Sequence, residues 1–431
     1  MPMKTELYKY RVLPLLNPTR VPVKLRVETL EPQLAFQSNK KYKIEVYSLV
    51  RPTAGDFQIT GNVFYPAAEN GALAFEFQFE DEAEYYVRVF NENESRHFLQ
   101  LSVYALEKDL FELRPLKGDF HVHTCRSDGK EHPAIAVANY REAGFDFTAL
   151  TDHLRYEPSV EAQNAYEGVK LGMAIINGEE VHSPDNYVHV VNFGGESSVN
   201  ALFEYDDDEY REQVREIIDS EDIPYQDKFI YAANRWVSQR IRERGGLSIF
   251  CHPHWINNTY NVPDSLSRAF LENGVFDAFE LVGGQTSHEN NMQTAFYNQL
   301  RSEGCFIPVT GASDSHGTIN SNLFDKMFTV VFSAANERGA IVEAVKKGMS
   351  TAVEVFKGGE YAVHGSYRLV SYTRFLLEYY FPHMRILCAQ EGRLMREYFN
   401  GVPYASEWLD KLAGATGEYY ALCKGGKPAG R

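Results

Sequence analysis

The sequence predicts an α/β protein, with strand-then-helix units arranged around a parallel sheet or barrel, an all-β domain ahead of them and helices behind. Three observations point there. A chain of 431 residues is too long for one ordinary small domain and carries ample core-forming material. Residues 23 to about 113 read as short segments alternating apolar and polar with a period of two. Near Lys117-Gly118 the pattern changes to strand-like runs alternating with helical ones, which is how a βα array is written.

In the first region the candidate strands are VKLRVETL, YKIEVYSLV, FQITGNVFY, LAFEFQFE, EYYVRVF and HFLQLSVYAL. Pro52-Thr53-Ala54-Gly55 and Asn91-Glu92-Asn93-Glu94 supply turns between them. Strands at this spacing predict a β-sandwich-like domain over residues 1–114, and nothing in it looks catalytic.

In the second region, DFHVHT, FTALTDH, AIINGEEV, YVHVVNFG, LSIFCHPH, DAFELVGG and FIPVTGASDSH are the strand candidates. Helices are predicted between them at 133–143, 210–218, 232–244, 266–273 and 291–303. The acidic run Asp206-Asp207-Asp208-Glu209 is read as a solvated helix start, because carboxylates suit the positive end of a helix dipole. Two further strands, FTVVFS and STAVEVF, bracket the helical ERGAIVEAVKKG and close this region at about 355. Apolar residues recur at helical spacing from 366 to about 398, so residues 356–431 are expected to form a helical extension ending in a loose tail, GGKPAGR.

Composition narrows the function. Hydrophobic residues at 44% and charged residues at 24% suit a globular protein. No apolar run approaches the roughly 20 residues that span a bilayer, and the start MPMKTELYKYRVLPLLN lacks a basic-then-apolar leader, so a cytoplasmic protein is expected. The five cysteines form no CxxC pair and predict neither a disulfide framework nor a zinc ribbon. A net charge of −16 repels a phosphate backbone and argues against a general nucleic-acid binder.

The chemistry gathers at the ends of the predicted strands. His121 and His123 are one residue apart, so on a strand they share a face on which two imidazoles can grip one ion. Asp128 follows on the next loop, and Asp152-His153 closes the second strand. Glu179 and Glu180 end the third, His189 lies in the fourth, His252-Pro253-His254 ends the fifth, and Asp314-Ser315-His316 ends the last. Polar residues at the C-terminal ends of successive barrel strands read as an active site. Imidazoles with carboxylates suit Zn, Mn or Fe better than calcium, and more ligands than one ion uses imply two or three divalent ions. Arg126, Lys130 and Arg155 stand near these motifs as candidate contacts for a substrate oxygen.

The ordered set, HxH with SDG, then TDH, GxE followed by His, HP and DxH, resembles the PHP (polymerase and histidinol phosphatase) family over roughly 117–355. That resemblance implies a distorted (β/α)7 barrel with a trinuclear centre over residues 115–355. It would place His121, His123, Glu180 and Asp314 on one metal, Glu180, His189 and His252 on a second, and Asp128, His153 and His316 on a third. The family pattern selects Glu180 over Glu179, and His189 is preferred to His182 for its apolar neighbours. Glu180 and Asp314 are expected in catalysis, Arg155 at a substrate oxygen, and His254 behind the ligands or in the substrate pocket. His97, His132, His288, His364 and His383 are read as ordinary surface or structural histidines.

The expected function is hydrolysis of a small phosphate ester by an enzyme that acts without membrane or nucleic acid and can form a homo-oligomer. Carbamate, ester or amide hydrolysis at the same metals is the alternative, since the β-rich module ahead of the barrel resembles the layout of a branch of the family that includes a carbamate-cleaving hydrolase. A non-catalytic, metal-containing binding protein is the third reading.

Overall fold

The computed structural model describes residues 4–50, 62–205 and 207–426. The predicted turn at 52–55, most of the segment FQITGNVFY, Asp206 and residues 427–431 of the tail lie outside them. The chain divides into two compact units, one of Met1–Arg114, Val370–Leu387 and Gly414–Arg431, the other of Pro115–Leu369 and Cys388–Ala413. The C-terminal region 356–431 is therefore divided between the two units.

In the first unit, Tyr10–Leu13, Pro22–Thr29 and Ala72–Gln78 make an antiparallel sheet. A second sheet runs in the order Leu16–Pro18, Leu99–Leu106, Ala83–Asn91, Tyr42–Ser48, Asn62–Phe64. Alternation does the work here: in Ala83–Asn91 every second side chain from Ala83 to Val89 is buried. The two sheets meet through aromatic rings, with Phe77 6.1 Å and Phe79 4.9 Å from Tyr85 between ring centroids. Leu99–Leu106 departs from alternation because its other face is covered as well, the rings of Tyr372 and Phe375 lying 5.0 and 5.2 Å from Tyr104. The strands Tyr10–Leu13 and Leu16–Pro18 were not expected; at four and three residues they are too short to show a period.

The second unit is mixed α/β. One sheet has the order Ala174–Ile176, Phe147–Ala149, Arg114–Asp119, Met327–Ser333, Ser350–Val355, Tyr361–His364, and the other has Gly178–Val181, Val190–Phe193, Leu247–Phe250, Ala278–Val282, Val309–Gly311. The predicted helices form at Pro133–Glu142, Asp207–Ser220, Lys228–Glu243, Asp264–Glu272 and Ser287–Ser302, and the helix Glu157–Ala165 joins them although its apolar spacing is poor. Among the described residues the strand pairing does not close into a barrel. Asn177 breaks the AIINGEEV run in two, so the chain passes from one sheet to the other there, and among the described residues the isolated bridges Val122–Ser315 and His153–Glu180 link the sheets. Four of the pairings in these sheets are antiparallel, Gly178–Val181 with Val190–Phe193, Val190–Phe193 with Leu247–Phe250, Met327–Ser333 with Ser350–Val355 and Ser350–Val355 with Tyr361–His364, which a pure βα array would not contain.

A hydrophobic floor sits between the sheets. Phe120 packs 5.3 Å from Phe147 and 4.4 Å from Phe193, one ring from each sheet. Gly118 makes this approach possible, since a Cβ there would lie 1.9 Å from the Phe147 ring. In the same unit Arg141, fully buried on the helix Pro133–Glu142, donates through Nε and Nη2 to Glu391 Oε2 at 2.9 and 2.7 Å.

Candidate metal centre

The strand Arg114–Asp119 ends before the two histidines, so His121 and His123 lie in an extended segment beyond it and not in the strand as expected. Backbone bonds fix that segment on both sides: His123 N donates to Ser315 O at 2.9 Å, and Thr151 N donates to Val122 O at 2.8 Å. His189 likewise falls just ahead of Val190–Phe193. Glu180 N donates to Asp152 O and Leu154 N to Glu180 O, which sets His153 beside Glu180. Two ligand candidates, His252 at φ 29° and Asp314 at φ 47°, sit in the left-handed region, a conformation that costs energy and is found where function demands a particular side-chain aim. Gly284 leaves room for the Asp314 turn, because a Cβ there would lie 2.2 Å from Ser313 O.

Glu180 is the hub. Its Oε2 lies 2.5 Å from His153 Nδ1, 3.5 Å from His121 Nε2, 3.6 Å from His123 Nε2 and 3.5 Å from His182 Nε2. The other oxygen, Oε1, lies 2.8 Å from His189 Nδ1 and 3.2 Å from His252 Nε2. Asp314 Oδ1 is 3.4 Å from His121 Nε2 and 3.0 Å from His123 Nε2. Asp128 forms a third focus, its Oδ1 3.2 Å from His316 Nε2 and its Oδ2 3.6 Å from His153 Nε2. Asp152 braces that loop as an acceptor from Thr124 and Ser127, through the backbone N–H and the hydroxyl of each.

All nine expected ligands, His121, His123, Asp128, His153, Glu180, His189, His252, Asp314 and His316, are therefore brought together. Among the described residues, His123, Asp128, His153 and His316 present ligand atoms to one point, His121, His123 and Glu180 to another, and Glu180, His189 and His252 to a third. Glu179 points elsewhere, accepting from Asn192, Ser198, Val199 and Asn200.

Three residues were missed. His182 is at the site as well as His189, with ring centroids 3.8 Å apart, and its Nε2 is 3.1 Å from His153 Nδ1. The HxH-like logic of two histidines flanking one loop could have found it. Glu280, buried in the middle of the apolar strand Ala278–Val282, places Oε2 3.0 Å from His121 Nδ1. A lone carboxylate in such a strand is the signal. Cys251 is buried with Sγ 3.3 Å from His189 O, to which its thiol donates, and burial pushes that thiol up.

Of the four further contacts expected, two are drawn to other partners and two stand open. His254 is not brought to the cluster: its Nε2 is 3.1 Å from Asp264 Oδ1 and its ring packs on Tyr260 and Phe296. Arg126 is taken up by Glu161, on which its Nε and Nη2 both donate. Arg155 and Lys130 are exposed, and among the described residues neither side chain has a hydrogen bond or ion pair.

The donor set fits metal ions. Buried atoms without a hydrogen-bond partner include His121 Nε2, both ring nitrogens of His123, Glu180 Oε2, His189 Nδ1 and His252 Nδ1. So many orphaned nitrogens and oxygens in one place would be costly unless they are meant to coordinate. The Glu280 contact agrees, since a ligating histidine commonly gives its far N–H to a carboxylate, leaving Nε2 of His121 to face the site. Burial pushes the Glu180 carboxyl up, but the imidazoles, His121 foremost, outweigh it and hold the group well below the carboxylate range. Burial likewise opposes ionisation of Asp314, and His121 and His123 hold it low. Burial lowers the imidazoles of His121, His153 and His252, yet the carboxylates facing them hold all three above the ordinary value.

No family model and no curated protein matches the chain. Among solved structures it is similar to a two-domain protein from Bacteroides vulgatus ATCC 8482 that contains a predicted PHP-like metal-dependent phosphoesterase, at 19% identity and a TM-score of 0.41 over 56% of this chain and 65% of that one. The match thus spans just under two thirds of that protein. An amidohydrolase from Chromobacterium violaceum, with bound sulfate and no metal, is similar at 18% identity and a TM-score of 0.32, over 46% of this chain and 87% of that one.

Proposed function

We propose that the chain is a metal-dependent hydrolase of the PHP type that cleaves a small phosphate ester. The observation that carries this is the convergence of imidazoles and carboxylates on Glu180, with ring nitrogens and a carboxylate oxygen left unpartnered in a buried setting. On this reading the two sheets of the second unit are an opened (β/α)7 barrel and residues 115–355 carry the chemistry. The first 114 residues are a sandwich-like domain that supplies no ligand.

His121, His123, Glu180 and Asp314 would hold one divalent ion, Glu180 with His189 and His252 a second, and Asp128, His153 and His316 a third, with Zn, Mn or Fe the suitable elements. When bound, such ions supply a nucleophilic water at neutral pH and offset charge on phosphate oxygens. The chain's own residues do the rest. Glu180 has one oxygen toward His189 and His252 and the other toward His121, His123 and His153, and would be shared by both of these ligand sets. Glu280 orients the His121 ring, and Asp152 fixes the loop that aims Asp128. Exposed and unpaired, Arg155 and Lys130 are available to phosphate oxygens, a role that an otherwise acidic protein needs cations to fill. His254, tied to Asp264, serves the fold of its loop instead of the reaction.

A substrate panel tests the reaction class. With Mn, Zn or Fe supplied, kcat/KM for p-nitrophenyl phosphate and a nucleoside monophosphate should exceed that for an aryl carbamate. A preference for the carbamate moves the enzyme to carbonyl chemistry at the same residues. Metal without any hydrolysis leaves a binding protein, a reading disfavoured because a structural site closes with four ligands and this set is larger. A cytoplasmic enzyme acting on a small molecule and able to form homo-oligomers fits the proposal. Among the described residues no helix is long and apolar enough to cross a membrane.

A further inference from the structure

On the His189 and His252 side, the loops bordering the centre expose aromatic and aliphatic surface. Tyr187, Trp255 and Ile256 are each 42–45% exposed, two residues before His189 and three and four after His252. Single exposed hydrophobes are ordinary, but three on adjoining loops beside candidate ligands are not. Asn261 Nδ2 donates to Tyr187 O, joining the two loops.

The Trp255 loop is braced. Its backbone N–H donates to His252 O at 3.0 Å and its carbonyl accepts from Asn261 N at 2.8 Å. Ile256 N donates to Glu289 Oε1, and Glu289 belongs to the capping box that starts the helix Ser287–Ser302. Buried His254 packs underneath, between Asp264, Tyr260 and Phe296. The indole stands edge-on to the His252 imidazole, with ring centroids 6.0 Å apart. A fixed, half-exposed indole in contact with a candidate ligand has no packing task on its open face. The Asp128 and His316 side exposes aliphatic side chains, Leu154 and Ile319, beside Lys130, but no aromatic ring.

We propose that Trp255 stacks on a planar aromatic group of the substrate, so that the enzyme's phosphate ester carries an aromatic ring, as an aryl phosphate or a nucleotide does. This rests on the phosphate-ester reading above. Ring stacking adds to the apolar area removed from water, and together they should favour an aromatic ligand by about tenfold or more over an aliphatic one.

Phenylphosphonate and methylphosphonate, which present the same anion and are not hydrolysed, separate the two ideas. Their affinities for the metal-loaded full chain are measured by calorimetry, with phenylphosphonate also followed by tryptophan fluorescence. The wild type should bind phenylphosphonate at least about tenfold more tightly. In Trp255→Ala and Trp255→Leu the ratio should fall toward one, whereas Trp255→Phe keeps most of it. Phenylphosphonate should change the emission of the wild type and not of Trp255→Phe. Metal content equal to wild type marks each variant as folded. Equal affinities in the wild type, or an undiminished ratio in both Ala and Leu variants, overturns the role of Trp255 while leaving phosphate hydrolysis standing. Failure of both phosphonates to bind overturns the phosphate reading and this inference with it.

Discussion

Replacing Glu280 with glutamine probes the grip on metal without touching a proposed ligand. Glu280 Oε2 stands 3.0 Å from His121 Nδ1, and both side chains are buried, so no water can take over the contact. Glutamine keeps the size and an oxygen acceptor but removes the charge that holds Nδ1–H and leaves Nε2 free for an ion. Losing such an outer carboxylate costs roughly 10–100-fold in metal affinity, about 1.4–2.7 kcal/mol. Glu280→Asp should fall near the weaker end, because the shortened side chain retreats from the ring but keeps its charge. Competition against a chelator gives Kd for Zn or Mn, and circular dichroism of the metal-free proteins checks that the fold is kept. An unchanged Kd for Glu280→Gln in a well-folded protein would refute the assignment of His121 as a ligand through Nε2.

Removing Glu391 should destabilise the second unit without any direct effect on chemistry. Glu391→Ala leaves the buried Arg141 guanidinium with only Asp146 at 3.7 Å as a countercharge and should cost about 3 kcal/mol, lowering Tm by roughly 6 to 12 °C, with Glu391→Gln milder; a shift below 2 °C would contradict the pairing. Asp152→Ala leaves the Thr124 and Ser127 donors without their acceptor, so the metal held with Asp128 should be lost first while the Glu180 pair is retained, as read from metal stoichiometry. In metal-free protein the depressed Glu180 carboxyl contributes stability that is present above its unfolded pKa near 4.5 and lost on acidification, whereas the raised imidazoles of His121, His153 and His252 contribute stability present below 6.5 and lost as pH rises. The Tm advantage of wild type over Glu180→Gln should therefore peak between about pH 4.5 and 6.5 and shrink on either side; an advantage independent of pH would show that these groups are not coupled.

Much of the site was legible because most candidate ligands sit beside a turn signal at the end of an apolar run, as in FTALTDH or LSIFCHPH. What escaped were residues whose role depends on neighbours distant in sequence. Glu280 reads as one carboxylate in a strand until the fold sets it against His121, 159 residues away. His182 lost to His189 on local grounds, yet a loop of a few residues returns both rings to Glu180. His254 shares a motif with His252 but turns away, because the left-handed backbone at His252 redirects the chain. Strand identity came through alternation and apolar runs, while closure of a barrel depends on hydrogen bonding at seams where strands are three residues long and carry little pattern. The C-terminal helices were visible by their spacing, but their division between two units was not, since helical spacing says nothing of which neighbour a helix packs on.

On the proposed function, Glu180 and its surrounding histidines form a multinuclear metal centre that hydrolyses phosphate esters. Elemental analysis of the protein purified without added metal, paired with p-nitrophenyl phosphate turnover on the same sample and on Glu180→Ala, tests it most directly. Two or three equivalents of Zn, Mn or Fe are expected in the wild type, and loss of both metal and turnover in the variant. Less than one equivalent, with no gain on reconstitution by Mn or Zn, would contradict it.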